Sequence, residues 1–207
     1  MITKDIAAYA NKNWAFYRKS AAELSKNNKG KPLVDDKTLM YCFDKITDSL
    51  FSKDCKPASA DALHMQKNGV VLLIEFKRGF DISAPRDSKE RDILNKSLQI
   101  KALESYLTLE KKIFPLCNDF ADRKERRLKY WVVVDTGPTN DTQTMLANIS
   151  GKGESRQNPL KSIEQALRRF RNQRDATGQS YLYDEIKAIS YRGFSRYLKP
   201  GTPVSKF

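Results

Sequence analysis

The sequence predicts an α/β fold: a small mixed central sheet flanked by helices, in one domain spanning residues 1–207. Two apolar runs, VVLLIEFK at 70–77 and YWVVVDTG at 130–137, have the length and the β-branched content of buried strands. Elsewhere apolar residues recur at helical spacing, and segments of the two kinds interleave along the chain, the pattern of a sheet covered by helices. No internal repeat and no convincing boundary divides the chain, and its 207 residues suit a single core.

In chain order, residues 4–27 read as a helix, with Ile6, Tyr9, Ala10, Trp14, Tyr17 and Leu24 at roughly helical spacing. NNKGKP at 27–32 breaks it. Asp35 or Asp36 can cap a second helix over 37–52, on which Leu39, Phe43, Ile46 and Leu50 form one stripe and Asp44 and Asp48 lie off it. KDCKPASA is a loop. DALHMQ, KNG and VVLLIEFK read as strand, tight turn and strand, with Asn68-Gly69 as the hairpin signal. KRGFDISAPRDSKE is a loop carrying both signs of charge.

A long helix is predicted from Asp92 to Ile113. Leu94, Leu98, the stem of Lys101, Leu103, Leu107 and Leu109 spread over its faces, as on a helix packed on more than one side. ADRKERRLK at 121–129 is a basic run, and YWVVVDTG a third strand ended by Gly137-Pro138. Residues 138–157 are a polar loop. A helix over 159–173 starts on Pro159, with Leu160, Ile163, Leu167 and Phe170 on its stripe. EIKAISY offers a fourth strand before a short final helix. The core is expected at about 37–135, between a helical extension at 1–36 and a basic helix and strand at 155–207.

Lysine and arginine number 38 against 25 aspartate and glutamate, a net charge of +13. That field attracts polyanions, nucleic acid first and anionic membrane second, although the excess alone names no site. No apolar run exceeds the five residues of Val70 to Ile74, far short of the ~20 residues of a membrane span, and no membrane partner is expected. MITKDIAAYANKNW lacks a secretory pattern. Cys42, Cys55 and Cys117 form no CxxC pair, and the one histidine, His64, allows no His-pair metal site. The expectation is a cytoplasmic protein with reduced thiols and no zinc. A Walker-type phosphate loop is missing, which excludes a nucleotide-driven motor of that class.

Chemistry is concentrated on the hairpin. Glu75 and Lys77 project from one face of their strand and Phe76 from the other. Asp61 begins the preceding strand, so folding at Asn68-Gly69 sets it near Glu75 and Lys77. Two close carboxylates repel unless a proton or a cation intervenes. Oxygen ligands suit Mg²⁺ or Mn²⁺, and a lysine beside them can orient a water or balance charge on a phosphate. These are the parts that phosphodiester hydrolysis needs. The second Glu-x-Lys, Glu185-Ile186-Lys187, follows Tyr183-Asp184 and lacks both the long apolar strand and an aspartate one hairpin away.

Asp61, followed by Glu75-Phe76-Lys77 at the end of an apolar strand, resembles the PD-(D/E)XK nuclease superfamily. The resemblance implies a restriction-endonuclease-like core of helix, three-stranded meander, helix and strand, mapped onto 37–52 and the strands near 61–66, 70–77 and 130–135. The third meander strand would have to come from 78–90, with GFDIS as the candidate. It implies a metal-dependent nuclease in which Asp61, Glu75 and the Phe76 carbonyl bind Mg²⁺ or Mn²⁺ and Lys77 positions the attacking water. It also implies a further acid on the first core helix, Asp44 before Asp48, and a glutamine on the helix after the motif, Gln99. Leu103 stands where one subfamily carries an aromatic, and Ala60 rather than proline precedes Asp61.

Lys161, Arg168, Arg169, Arg171 and Arg174 are candidate phosphate contacts, as are Arg123, Lys124, Arg126 and Arg127, with solvated helix faces as the alternative. Tyr181, Tyr183 and Trp14 suit the core better than base stacking, and His64 is more often structural than catalytic. The expected partner is nucleic acid, DNA ahead of RNA, and a homodimer would supply two sites for two strands. The alternatives are a nucleic-acid-binding module with a nuclease-like fold and no catalysis, and a subunit docking on an acidic protein.

Overall fold

Val70 to Lys77 forms the central strand β4, whose alternating side chains separate two buried layers. Val71 and Leu73 join one apolar cluster, Leu72 and Ile74 the other, because successive strand residues point to opposite faces. The computed structural model describes residues 2–66, 70–78, 88–117, 127–135, 159–170 and 182–199. Among them, six strands form one open mixed sheet in chain order: β1 (Arg18–Ser20), β2 (Leu39–Cys42), β3 (Ala62–Met65), β4, β5 (Arg127–Val134) and β6 (Glu185–Ser190).

β1 to β4 are antiparallel neighbours, whereas β5 runs parallel to β4 and β6 parallel to β5. Parallel neighbours need a crossover, and helices supply it here. Helix α4 (Ser88–Thr108) lies between β4 and β5, and α5 (Pro159–Leu167) between β5 and β6. With α1 (Ile2–Asn13) and α3 (Phe43–Leu50), they contribute to the cluster that contains Leu73. The short α2 (Ala21–Leu24) and α6 (Tyr191–Leu198) cover the opposite face, where Phe194 packs edge-on to Trp131 and Phe76. The protein is therefore α/β, as expected. No helix among the described residues is long and apolar enough to cross a membrane.

The hairpin forms as expected, with Met65 opposite Val71 and Ala62 opposite Ile74, while its turn at 67–69 lies outside the described residues. The strands at 127–134 and 185–190 and the helices at 159–167 and 191–198 also form close to their expected positions. A single-turn 3₁₀ segment at 168–170 carries the α5 stripe on to Phe170.

Three expectations are corrected. Residues 4–27 are not one helix: α1 ends at Asn13, an edge strand intervenes, and α2 restarts on a Ser20–Glu23 capping box. Residues 39–42 are strand, not the first turn of the helix at 37–52. Cys42 is extended and α3 starts at Phe43, keeping Phe43 and Ile46 as its buried stripe while Leu39 is exposed. Helix α4 is buried on one side only, through Leu98, Ala102, Ser105 and Tyr106, and leaves Ile93, Ile100, Leu103 and Leu107 exposed. The antiparallel run ending at β4 thus takes in two strands upstream of the hairpin, β1 and β2. The segment GFDIS lies outside the described residues.

Candidate active site

The end of the hairpin brings Asp61 to Glu75 through three tethers. Asp61 Oδ2 accepts the Phe76 N–H at 2.7 Å, and the Asp61 carbonyl accepts the Phe43 N–H at 3.2 Å. One residue earlier, the Ala60 N–H donates to Ser105 Oγ on α4 at 2.9 Å. The Ala58 N–H donates to Glu104 of the same turn, so the loop before β3 is clipped to the helix above it. Phe76 turns to the other face, as strand alternation requires, and its ring lies 6.0 Å from that of Phe194.

Glu75 is 1% exposed, and two lysines neutralise it. Lys77 Nζ approaches Glu75 Oε1 at 2.7 Å. Lys101, from the middle of α4, donates to Oε1 at 2.8 Å and to Oε2 at 3.0 Å, and its nitrogen stands 3.5 Å from Asp61 Oδ1. The oxygens of Asp61 and Glu75 thus share one ammonium and lie no further apart than those two contacts laid end to end. A buried carboxylate is costly unless paired, and this arrangement pairs it twice.

The electrostatics follow from the crowding. Burial, and then the charge of Glu75, push the Asp61 carboxyl up to about 7, against the opposing pull of Lys101 and the Phe76 N–H. Burial draws the Lys101 ammonium down, but Glu75 and Asp61 outweigh it and hold the group above its ordinary range. Beneath them lies Tyr130, fully buried, its hydroxyl without a hydrogen-bond partner among the described residues. Burial and the charge of Glu75 raise that hydroxyl well above the usual tyrosine range.

Asp44, in the first turn of α3, accepts a hydrogen bond from the buried Ser59 hydroxyl, and its charge adds to the upward push on Asp61. Asp48 belongs elsewhere, paired with Lys56 at 2.6 Å and Lys45 at 3.2 Å, and Lys56 first holds its carboxyl below the ordinary range. Gln99 turns to α5: it donates to the Ala166 carbonyl at 2.8 Å and accepts from Arg169 at 2.6 Å. The structure therefore places Gln99 and Arg169 in the contact between α4 and α5 and not against the carboxylates. His64 is on the opposite face from Glu75, and burial depresses its pKa. Lys161 and Arg168 are exposed on and just after α5. Arg127 begins β5, while Arg171, Arg174, Arg123, Lys124, Arg126 and Tyr181 lie outside the described residues. Trp14 and Tyr183 are core residues, as expected.

Lys101 is the residue that sequence reasoning passed over. At 100° per residue Leu94, Leu98, Lys101 and Ser105 fall on one stripe, and the signal was a lysine and a serine amid leucines on that stripe. Tyr183 fixes the helix at this level by donating to the Ala102 carbonyl at 2.6 Å. Glu185 and Lys187, the other Glu-x-Lys, serve structure: Glu185 binds Lys129 at 2.8 Å and Trp131 Nε1 at 2.7 Å, and Lys187 lies over the Trp131 ring.

The donor set is all oxygen, which fits a hard cation such as Mg²⁺ or Mn²⁺, and its carboxylates already converge on one positive charge. Among the described residues, no cluster of three or more His, Cys, Asp and Glu side chains stands ready for a metal. Asp61 and Glu75 form a pair, with Asp44 nearby but engaged with Ser59. No family model matches the chain, and no curated protein or solved structure matches it either.

Proposed function

We propose that the protein is a metal-dependent nuclease that hydrolyses phosphodiester bonds, DNA ahead of RNA, at the Asp61–Glu75–Lys77 site. One observation carries the reading: a nearly inaccessible glutamate at the end of the central strand shares a lysine from α4 with an aspartate one hairpin away, and a second lysine joins them. A strand end that only needed solubility would leave such charges in water. The order β2, β3, β4, α4, β5, with α3 set between β2 and β3, supports the reading through its likeness to the antiparallel strands, helix and parallel strand of a PD-(D/E)XK core.

In this reading Asp61 and Glu75 hold Mg²⁺ or Mn²⁺, with the Phe76 carbonyl as the third ligand. The ion would polarise the phosphate and lower the pKa of the attacking water. Lys77, on the strand face of Glu75, orients that water and stabilises the charge that develops on phosphate oxygen. Lys101 keeps Glu75 and Asp61 together when no ion is bound. Asp44 bears on Asp61 from the first turn of α3, and the excess of +13 draws the polyanion in.

Lys101 also favours a second reading. Carboxylates neutralised by two lysines need no ion, as expected of a nucleic-acid-binding module that keeps a nuclease-like site without using it. Cleavage of DNA by purified protein in Mg²⁺ or Mn²⁺, lost in Glu75→Ala while binding persists, supports the nuclease. Salt-sensitive binding without any cleavage supports the module.

A further inference from the structure

The sheet edge nearest the N-terminus carries an aromatic and basic surface that the hydrolytic site does not use. Phe16 is 73% exposed, the most exposed of the large apolar side chains among the described residues. Its ring lies 4.0 Å from that of Tyr17, which packs against the cluster on the same face of the sheet as Glu75. The Arg18 guanidinium lies over the ring of Tyr41, a member of that cluster. Lys12, Arg18 and Lys19 are exposed, and no aspartate or glutamate occurs from residue 6 to residue 22.

Register fixes where this surface stands. Arg18 pairs with Tyr41, Tyr41 with Leu63 and Leu63 with Leu73. The strands are antiparallel, so stepping back from Arg18 to Tyr17 and Phe16 moves toward the end of the sheet that holds Asp61 and Glu75. Three strand spacings, about 14 Å, separate the lines of β1 and β4. Phe16 therefore lies off to one side of the site, at the same end of the sheet and beside β1, an edge strand among the described residues.

We infer that Phe16 and Tyr17, with Arg18 and Lys19, form a stacking platform for an unpaired base of single-stranded nucleic acid whose backbone continues to the carboxylate site. This inference rests on the nuclease reading for the direction of the strand, and it narrows the substrate to a single strand or a splayed end. An exposed ring offers a π-face that any unpaired base can cover, whereas a duplex keeps its bases stacked inside. The arginine and the lysines supply the phosphate contacts.

The test is fluorescence anisotropy of a labelled single-stranded oligothymidylate and a duplex of equal length, in EDTA so that nothing is cut. Phe16→Ala is expected to weaken single-strand binding about tenfold, with duplex binding and the unfolding midpoint unchanged and Phe16→Trp restoring affinity. Arg18→Ala with Lys19→Ala is expected to flatten the salt dependence for both ligands. Equal single-strand affinity of Phe16→Ala and wild type would overturn the inference, as would equal losses on single strand and duplex. Phe16-dependent binding by a protein that cuts nothing in Mg²⁺ or Mn²⁺ would sustain the platform and remove the nuclease reading.

Discussion

The Lys101 ammonium donates to both carboxylate oxygens of Glu75, at 2.8 and 3.0 Å, joining the middle of α4 to the end of β4. The Lys77 ammonium meets the same carboxylate from its own strand. The two lysines therefore have different tasks: one comes from the helix and reaches Asp61 as well, the other stands at the strand exit.

Lys101→Met removes the charge that the two carboxylates share. Lys77 still pairs Glu75, so the loss of stability is smaller than for a fully orphaned buried charge, about 1–2 kcal/mol. Urea unfolding in EDTA measures it. Mn²⁺ added to this variant is expected to restore more stability than it gives the wild type, because the ion then has no resident ammonium to compete with.

The pH dependence follows from Asp61. Its folded pKa, about 7, stands above the ordinary carboxylate value. Between that ordinary range and about 7 the folded protein holds a proton that the unfolded chain has released, so stability in EDTA falls as pH rises through this window and levels off above it. His64, depressed in the fold, contributes the opposite slope as its unfolded form takes up a proton. The difference between wild type and Asp61→Asn isolates the aspartate, and urea unfolding from pH 4.5 to 8 checks it. A difference that does not change across this window would contradict the assignment.

Asp44 and Asp48 separate cleanly. Asp44→Asn alters the charge that bears on Asp61 and is expected to lower cleavage about tenfold or more. Asp48→Asn only frees Lys45 and Lys56 at the surface, and its rate should match wild type. Initial rates at saturating Mg²⁺ or Mn²⁺ distinguish them.

Ser105→Ala cuts the tether between α4 and the Ala60 N–H. The buried Ala60 N–H is left without its acceptor, at an expected cost of about 1–3 kcal/mol of stability, with a loss of cleavage at unchanged nucleic-acid affinity as Asp61 loses its fixed position. A variant equal to wild type in both respects would show that the clip between loop and helix does not position the site.

The hairpin and the pairing of Asp61 with Glu75 were legible because Asn68-Gly69 and the five apolar residues of VVLLI each specify structure locally. β2 was not. LMYC is apolar enough to continue the stripe of the helix it precedes, and only its pairing with β1 and β3 makes it a strand. The break after Asn13 was hidden for a similar reason, since Tyr17 and Leu24 keep helical spacing across a turn and an edge strand. By sequence Lys101 counts only as an apolar stem, because a lysine at a helix surface ordinarily carries its charge to water; what reverses this is a carboxylate 26 residues earlier in the chain that the fold brings to it. Gln99 had the right helix but the wrong face: two residues before Lys101, it points to α5.

Plasmid cleavage in Mg²⁺ or Mn²⁺ by wild type, Glu75→Gln and Lys77→Met, alongside DNA affinity in EDTA, tests the central claim most directly. The nuclease reading predicts nicked or linear product from wild type, and none from either variant at wild-type affinity. Cleavage that persists in both variants, or DNA binding by the wild type with no product in either metal, would contradict it.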